Sequence, residues 1–154
     1  MKVVGISVEP SSRTPVVLLQ DEADESVTLP IWVGILEAGA IATGLDKVHL
    51  PRPLTHDLLK SVLDTFGVRL LKVEVHDLRE NTFYAALHLE RGGESVVVDS
   101  RPSDAIAVAL RMDAPILVKE AVLEKSKGGT GGGKDPLTEL LENMDPEDFG
   151  KYKM

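Results

Sequence analysis

Two stretches of the chain carry the same order of patterns, and this doubling constrains the fold more than any single motif does. In the first, Lys2 to Val8, Pro15 to Gln20 and Ser26 to Val33 are short β-branched or alternating runs. Turn residues separate them, Glu9-Pro10-Ser11-Ser12 and then the acidic Asp21 to Glu25. Pro30 suits an edge strand or a bulge, because proline cannot donate to a ladder on both sides. Gly34 to Leu45 then has helical spacing and small residues that allow close packing. In the second stretch, Val68 to His76, Thr82 to Leu89 and Glu94 to Asp99 read as strands, joined by Asp77 to Asn81 and by Gly92-Gly93. A helix over Arg101 to Arg111 follows, with Pro102 and Asp104 well placed in its first turn. Ala40-Ile41-Ala42-Thr43-Gly44-Leu45 echoes Ala105-Ile106-Ala107-Val108-Ala109-Leu110 at an offset of 105 − 40 = 65 residues. The pattern predicts an α+β fold of duplicated three-strand meander plus helix units around one core. Two alanine-rich helices that merely look alike are the other reading of the echo.

Between the units, 46–53 is a loop, and Leu54 to Phe66 is an amphipathic helix. Leu58, Leu59, Val62, Leu63 and Phe66 form a stripe expected to face the core, with Thr55 as N-cap and Gly67 as stop. Ala114 to Val118 is a last strand, and Ala121 to Glu124 adds one helical turn. The domain is expected over 1–125, followed by a glycine-rich linker over 126–134 and an acidic tail with a short helix over 135–154. That tail helix is too short to be stable unless docked.

A chain of 154 residues buries roughly two-thirds of its unfolded surface without staples. It has no cysteine, which excludes disulfides and thiolate metal sites. No apolar stretch has signal-peptide or membrane length, so a cytoplasmic protein that does not enter a membrane is expected. The net charge is −8, of which the tail's six acidic and two basic residues supply −4. No basic stripe stands ready for a phosphate backbone. A metal-assisted hydrolase is penalised less by this charge than a simple nucleic-acid-binding module, because a cation supplies positive charge.

Gly128 to Lys134 nearly spells a phosphate-binding loop, but Asp135 stands where a hydroxyl is needed, and no strand precedes it. Arg52-Pro53-Leu54-Thr55-His56-Asp57 sets a cation, an imidazole and a carboxylate around a helix start, suited to general acid–base work. A capped helix with His56 and Asp57 in its first turn is the commoner origin of such a segment. Asp99, Arg101 and Asp104 could hold a divalent ion or a phosphate, or merely form a capping arrangement with an Arg–Asp pair. Glu37 opens the corresponding helix of the first unit, and carboxylates from separate segments are what an oxygen-ligated Mg²⁺ or Mn²⁺ requires. His49, His76 and His88 show no ligand spacing, and Trp32, Phe83 and Tyr84 are expected in the core or an interface.

Several segments together resemble the bifunctional nuclease family, whose domain is called BFN. They are Leu29-Pro30-Ile31-Trp32-Val33-Gly34 with Glu37-Ala38, Arg52 to Leu58, Asp77-Leu78 with Thr82-Phe83-Tyr84-Ala85, and Asp99 to Ala107. Pro115-Ile116, Glu120 and Val122-Leu123 complete the series, over about residues 1–125. The resemblance implies an α+β fold, homo-oligomeric assembly and hydrolysis of DNA and RNA. Many members carry a second C-terminal module, which this chain's linker and short tail do not match. Candidate positions are His56, Arg52 and Arg101 for catalysis and Glu37, Asp57 and Asp104 for Mg²⁺ or Mn²⁺, with Asp77 and Asp99 as further candidates. In this scheme His56 is general base or acid and an arginine stabilises the charge on phosphorus. The alternative is a non-catalytic oligomeric scaffold or regulatory module that recognises a small anion or a protein.

Overall fold

The computed structural model describes residues 1–128; the linker beyond Gly128, its phosphate-loop look-alike and the tail helix lie outside these residues. The described chain runs β1 (Lys2–Val8), β2 (Pro15–Gln20), β3 (Thr28–Trp32), α1 (Ile35–Leu45), α2 (Thr55–Thr65), β4 (Arg69–Arg79), β5 (Thr82–Arg91), β6 (Glu94–Ser100), α3 (Pro102–Met112), β7 (Ile116–Val118) and α4 (Glu120–Gly128). The fold is α+β. Strands β1-β2-β3 form one antiparallel sheet, and the second has the order β6-β5-β4-β7, with β7 parallel to β4. Each meander is followed by a helix, as the doubled pattern predicts. Pro30 lies on β3, an edge strand. The N-terminal ammonium of Met1 donates to the Ile116 carbonyl at 2.7 Å and ties the two sheets together.

The core takes Leu19, Leu29 and Ile31 from the first sheet, Val73, Val75 and Leu87 from the second, and Ile41, Ile106 and Val108 from the helices. Alanines at 38, 42, 105, 107 and 109 are buried as well, and their small size lets α1 and α3 pack closely. Ile106 is fully buried, which stabilises the fold by about 1.5–3 kcal/mol relative to exposure.

Four expectations need correction. The stripe on α2 does not face this core: no α2 residue is buried, and Leu58 is 54% and Phe66 61% exposed. The helix leans on α3 through polar contacts, so its periodicity reports an amphipathic helix without reporting what covers it. Thr55 is the first helical residue, not the cap; the Asp57 carboxylate instead accepts from the Leu54 N–H at 2.9 Å. The second hairpin is longer than expected, because Asp77, Leu78 and Arg79 stay in β4 beyond a bulge at Val75/Asp77. The chain reverses at Glu80-Asn81, both at positive φ, a two-residue turn of the twist hairpins favour. Helix α4 runs through Gly128, past the single turn expected over 121–124.

Candidate active site

The first turns of three helices meet at one place. Glu37 lies in the first turn of α1, His56 in that of α2, and Arg101 and Asp104 at the start of α3. Their side chains form a chain of contacts. Arg101 Nη1 donates to Glu37 Oε1 at 3.1 Å, and Arg101 Nε donates to Asp104 Oδ2 at 2.8 Å. Arg101 Nη2 reaches Asp104 Oδ1 at 3.1 Å, so that pair is bidentate. His56 Nε2 lies 2.9 Å from Asp104 Oδ1.

Burial alone raises the pKa of Asp104. The hydrogen bonds from Arg101 and His56, and their charges, outweigh it and hold the carboxyl below its ordinary value of 3.8. A carboxylate only accepts, so Nε2 of His56 carries the hydrogen in this contact. Hydrogen bonding to Asp104, its charge, and the Glu37 contact push the Arg101 guanidinium up. Both carboxylates sit where helix N-termini favour negative charge.

Beside this network lies a cleft of ≈ 360 Å³, lined by Trp32, Gly34, Glu37, Asn81, Phe83 and Arg101 among others. The Arg101 side chain is 63% exposed and Glu37 23%. Trp32 is 43% exposed and anchored by its indole N–H to Glu9 Oε2 at 3.3 Å; it is a cleft wall and not a core residue. Phe83 is half-buried and packs against the core from the opposite sheet. A Cβ at Gly34 would meet the Glu37 carboxylate, which would have to turn aside.

Sequence reasoning singled out four residues that the fold unites: Glu37, His56, Arg101 and Asp104. His56 does not line the cleft; it stands behind Asp104. Asp57 turns to the other side of α2, where Arg111 Nε donates to it at 2.7 Å. Burial raises the Asp57 pKa, but the Leu54 N–H, Arg111 and His56 prevail and lower it. Asp77 binds Lys125 and Arg79 at 2.9 and 3.0 Å and pins α4 to β4. Asp99 is exposed on β6, and Arg52 is exposed on the α1–α2 loop, without a hydrogen bond or ion pair among the described residues. His88, which showed no ligand spacing, has its Nε2 buried without a hydrogen-bond partner, 3.7 Å from Glu74.

Glu37, Asp57 and Asp104 therefore do not converge on a common point. Among the described residues, no three His, Asp or Glu side chains are arranged to hold a metal ion. The Arg101 guanidinium occupies the gap between Glu37 and Asp104, so the set as arranged does not fit a bound Mg²⁺ or Mn²⁺.

Arg111 is the residue that sequence reasoning missed. Its side chain is only 6% exposed and is held by Asp57, the Ala40 and Ala107 carbonyls and the Thr43 hydroxyl. The available signal was an arginine continuing the apolar face of α3, four residues after the buried Ala107.

A known family matches this sequence. The sequence profile of the bifunctional nuclease domain covers residues 17–129, and the chain belongs to that family. An uncharacterized protein of Mycobacterium tuberculosis is 41% identical over 162 residues, covering 97% of this chain and 96% of its own length. Bifunctional nuclease 1 of Arabidopsis thaliana is 30% identical over 109 residues, 69% of this chain and 34% of its own. Bifunctional nuclease 2 of Oryza sativa subsp. japonica is 29% identical over 121 residues, 77% of this chain and 37% of its own. This chain thus spans about a third of those plant proteins. No helix among the described residues is long and apolar enough to cross a membrane.

Proposed function

We propose that this chain hydrolyses phosphodiester bonds of DNA and RNA at the Arg101 cleft. The observation that carries this reading is one exposed guanidinium, seated where three helix first turns meet, at the mouth of a cleft with aromatic walls. Helix starts and a guanidinium favour a phosphate, and Trp32 and Phe83 offer faces on which bases stack. The family membership and the names of the plant relatives support the same chemistry.

The roles proposed here differ from those read in the sequence. Arg101 binds the phosphate and stabilises charge that develops on its oxygens. Glu37 lines the cleft and loses its partner when Arg101 turns to the phosphate. It then accepts the proton of the attacking water, which bonds to phosphorus as the leaving sugar oxygen departs and takes a proton from solvent. His56 is a positioning residue that orients Asp104, and through it Arg101. A phosphate approaching two carboxylates and one arginine gains little net attraction, so weak substrate binding is expected.

The test is cleavage of single-stranded DNA, duplex DNA and RNA in Mg²⁺, Mn²⁺ or EDTA by wild type and by folded Arg101→Ala and Glu37→Gln variants. Cleavage that persists in EDTA and falls in both variants supports these roles. Strictly metal-dependent cleavage sensitive to Glu37 and Asp104 would mean that Arg101 leaves its seat to an ion. Cleavage equal in all proteins would remove this site from the chemistry.

Homo-oligomeric assembly is the second part of the proposal, and it suits the scaffold reading too. Leu58 and Phe66 on α2, and Val96 and Val97 at 57% and 61% exposure on edge strand β6, leave apolar surface that a further copy would cover. Sedimentation equilibrium at micromolar concentration measures it, and a monomer throughout would contradict it.

A further inference from the structure

A second cleft, of ≈ 540 Å³, lies on the opposite side of α2, between the α1–α2 loop and the α2–α3 pair. This is within the range of small-molecule pockets, about 300–1,000 Å³. Its inner wall includes the buried Arg111, and its rim carries Lys47, His49 and Lys60.

Three features mark it as built. Lys47 and Asp113 both adopt the left-handed backbone region, each at φ 51, and face each other in an ion pair of 2.8 Å. Both stand at helix ends, where the left-handed conformation terminates α1 and α3 and brings the two side chains together on the rim. Gly44 lines the cleft where a Cβ would come within 2.7 Å of Arg111 Nη1, so the wall is shaped around that guanidinium. The third feature is charge. Arg111 is paired with Asp57 and Lys47 with Asp113, which leaves Lys60 and His49 without a hydrogen bond or ion pair among the described residues. The lining thus holds three cations, Lys47, Lys60 and Arg111, against the carboxylates of Asp57 and Asp113, a surplus of one positive charge in a chain whose net charge is −8.

We infer that this cleft binds a nucleoside monophosphate, its phosphate at Lys60, His49 and Lys47 and its base against Leu50, Pro51 and Pro53. The ammonium of Lys47, on a side chain 66% exposed, can exchange Asp113 for the ligand. Prolyl and leucyl faces offer a flat apolar wall to a planar base. The inference does not depend on the nuclease reading, because none of these residues borders the Arg101 cleft.

The test is an amide NMR titration of the full chain with each of the four nucleoside 5′-monophosphates, with adenosine, and with inorganic phosphate. At least one monophosphate should saturate shifts at Lys47, His49, Lys60 and Ser61, with adenosine and inorganic phosphate weaker by about tenfold or more. Lys60→Glu should weaken binding by about tenfold or more at an unchanged urea midpoint, because it places like charge beside the phosphate. The inference is overturned if all four leave these amides unmoved, if Lys60→Glu binds as wild type, or if inorganic phosphate binds as tightly as the best nucleotide.

Discussion

The two arginines at the ends of α3 are bonded alike and behave as opposites. Each pairs with a carboxylate near the start of a helix. Arg101 is 63% exposed and holds only carboxylates, which water or a phosphate can replace. Arg111 is 6% exposed and spends its donors on two main-chain carbonyls, a hydroxyl and Asp57. An exposed pair contributes about 0–1 kcal/mol, whereas breaking a buried one costs about 3–5. The same side chain is therefore a bolt across α1, α2 and α3 at one end of the helix and an exchangeable contact at the other. Only the exchangeable one is free to serve a substrate.

That contrast is open to direct attack. Arg111→Ala should lower stability by about 3 kcal/mol, read from urea unfolding, since it removes a buried guanidinium that joins α1, α2 and α3 and takes the cation from Asp57. A loss under 1 kcal/mol would make Arg111 no bolt. Arg101→Ala should leave the urea midpoint within about 1 kcal/mol of wild type while reducing cleavage about 100-fold. Equal damage to stability from both variants would erase the distinction. Gly44→Ala, which forces Arg111 aside, should cost about 1–3 kcal/mol in thermal unfolding. Smaller still is the acid response. Asp57 and Asp104 have pKa values below 3.8 in the folded chain, so their contribution is complete above the unfolded value. It is lost as pH falls through their folded values, and urea midpoints should drop between pH 4 and lower pH, as about 3.9 is the ordinary carboxylate value. In Arg111→Ala the Asp57 share of that drop should shrink; an unchanged drop would assign the acid response elsewhere.

The strands and helices were legible because alternation, alanine-rich runs and turn residues each report a local preference. Glu37, His56, Arg101 and Asp104 were legible as helix-start residues of suitable chemistry. Their convergence was not, because it depends on how α1, α2 and α3 pack. Asp57 shows the limit: one position from His56, it points to the other side of the helix and serves Arg111. The α2 stripe shows another, since an apolar face is the same in sequence whether its cover is the chain's own core or another surface. Trp32, read as core or interface, is not in the core, because an aromatic at the end of an edge strand can line a cleft as readily as fill a core.

The central claim is that the exposed arginine acts and the buried one holds. The most direct test is cleavage of a labelled single-stranded oligonucleotide by wild type, Arg101→Ala and Arg101→Lys, each purified identically and shown folded by urea unfolding. The account predicts about a 100-fold loss in Arg101→Ala and partial recovery in Arg101→Lys, which keeps the charge but not the bidentate fork. Undiminished cleavage by a folded Arg101→Ala would contradict it.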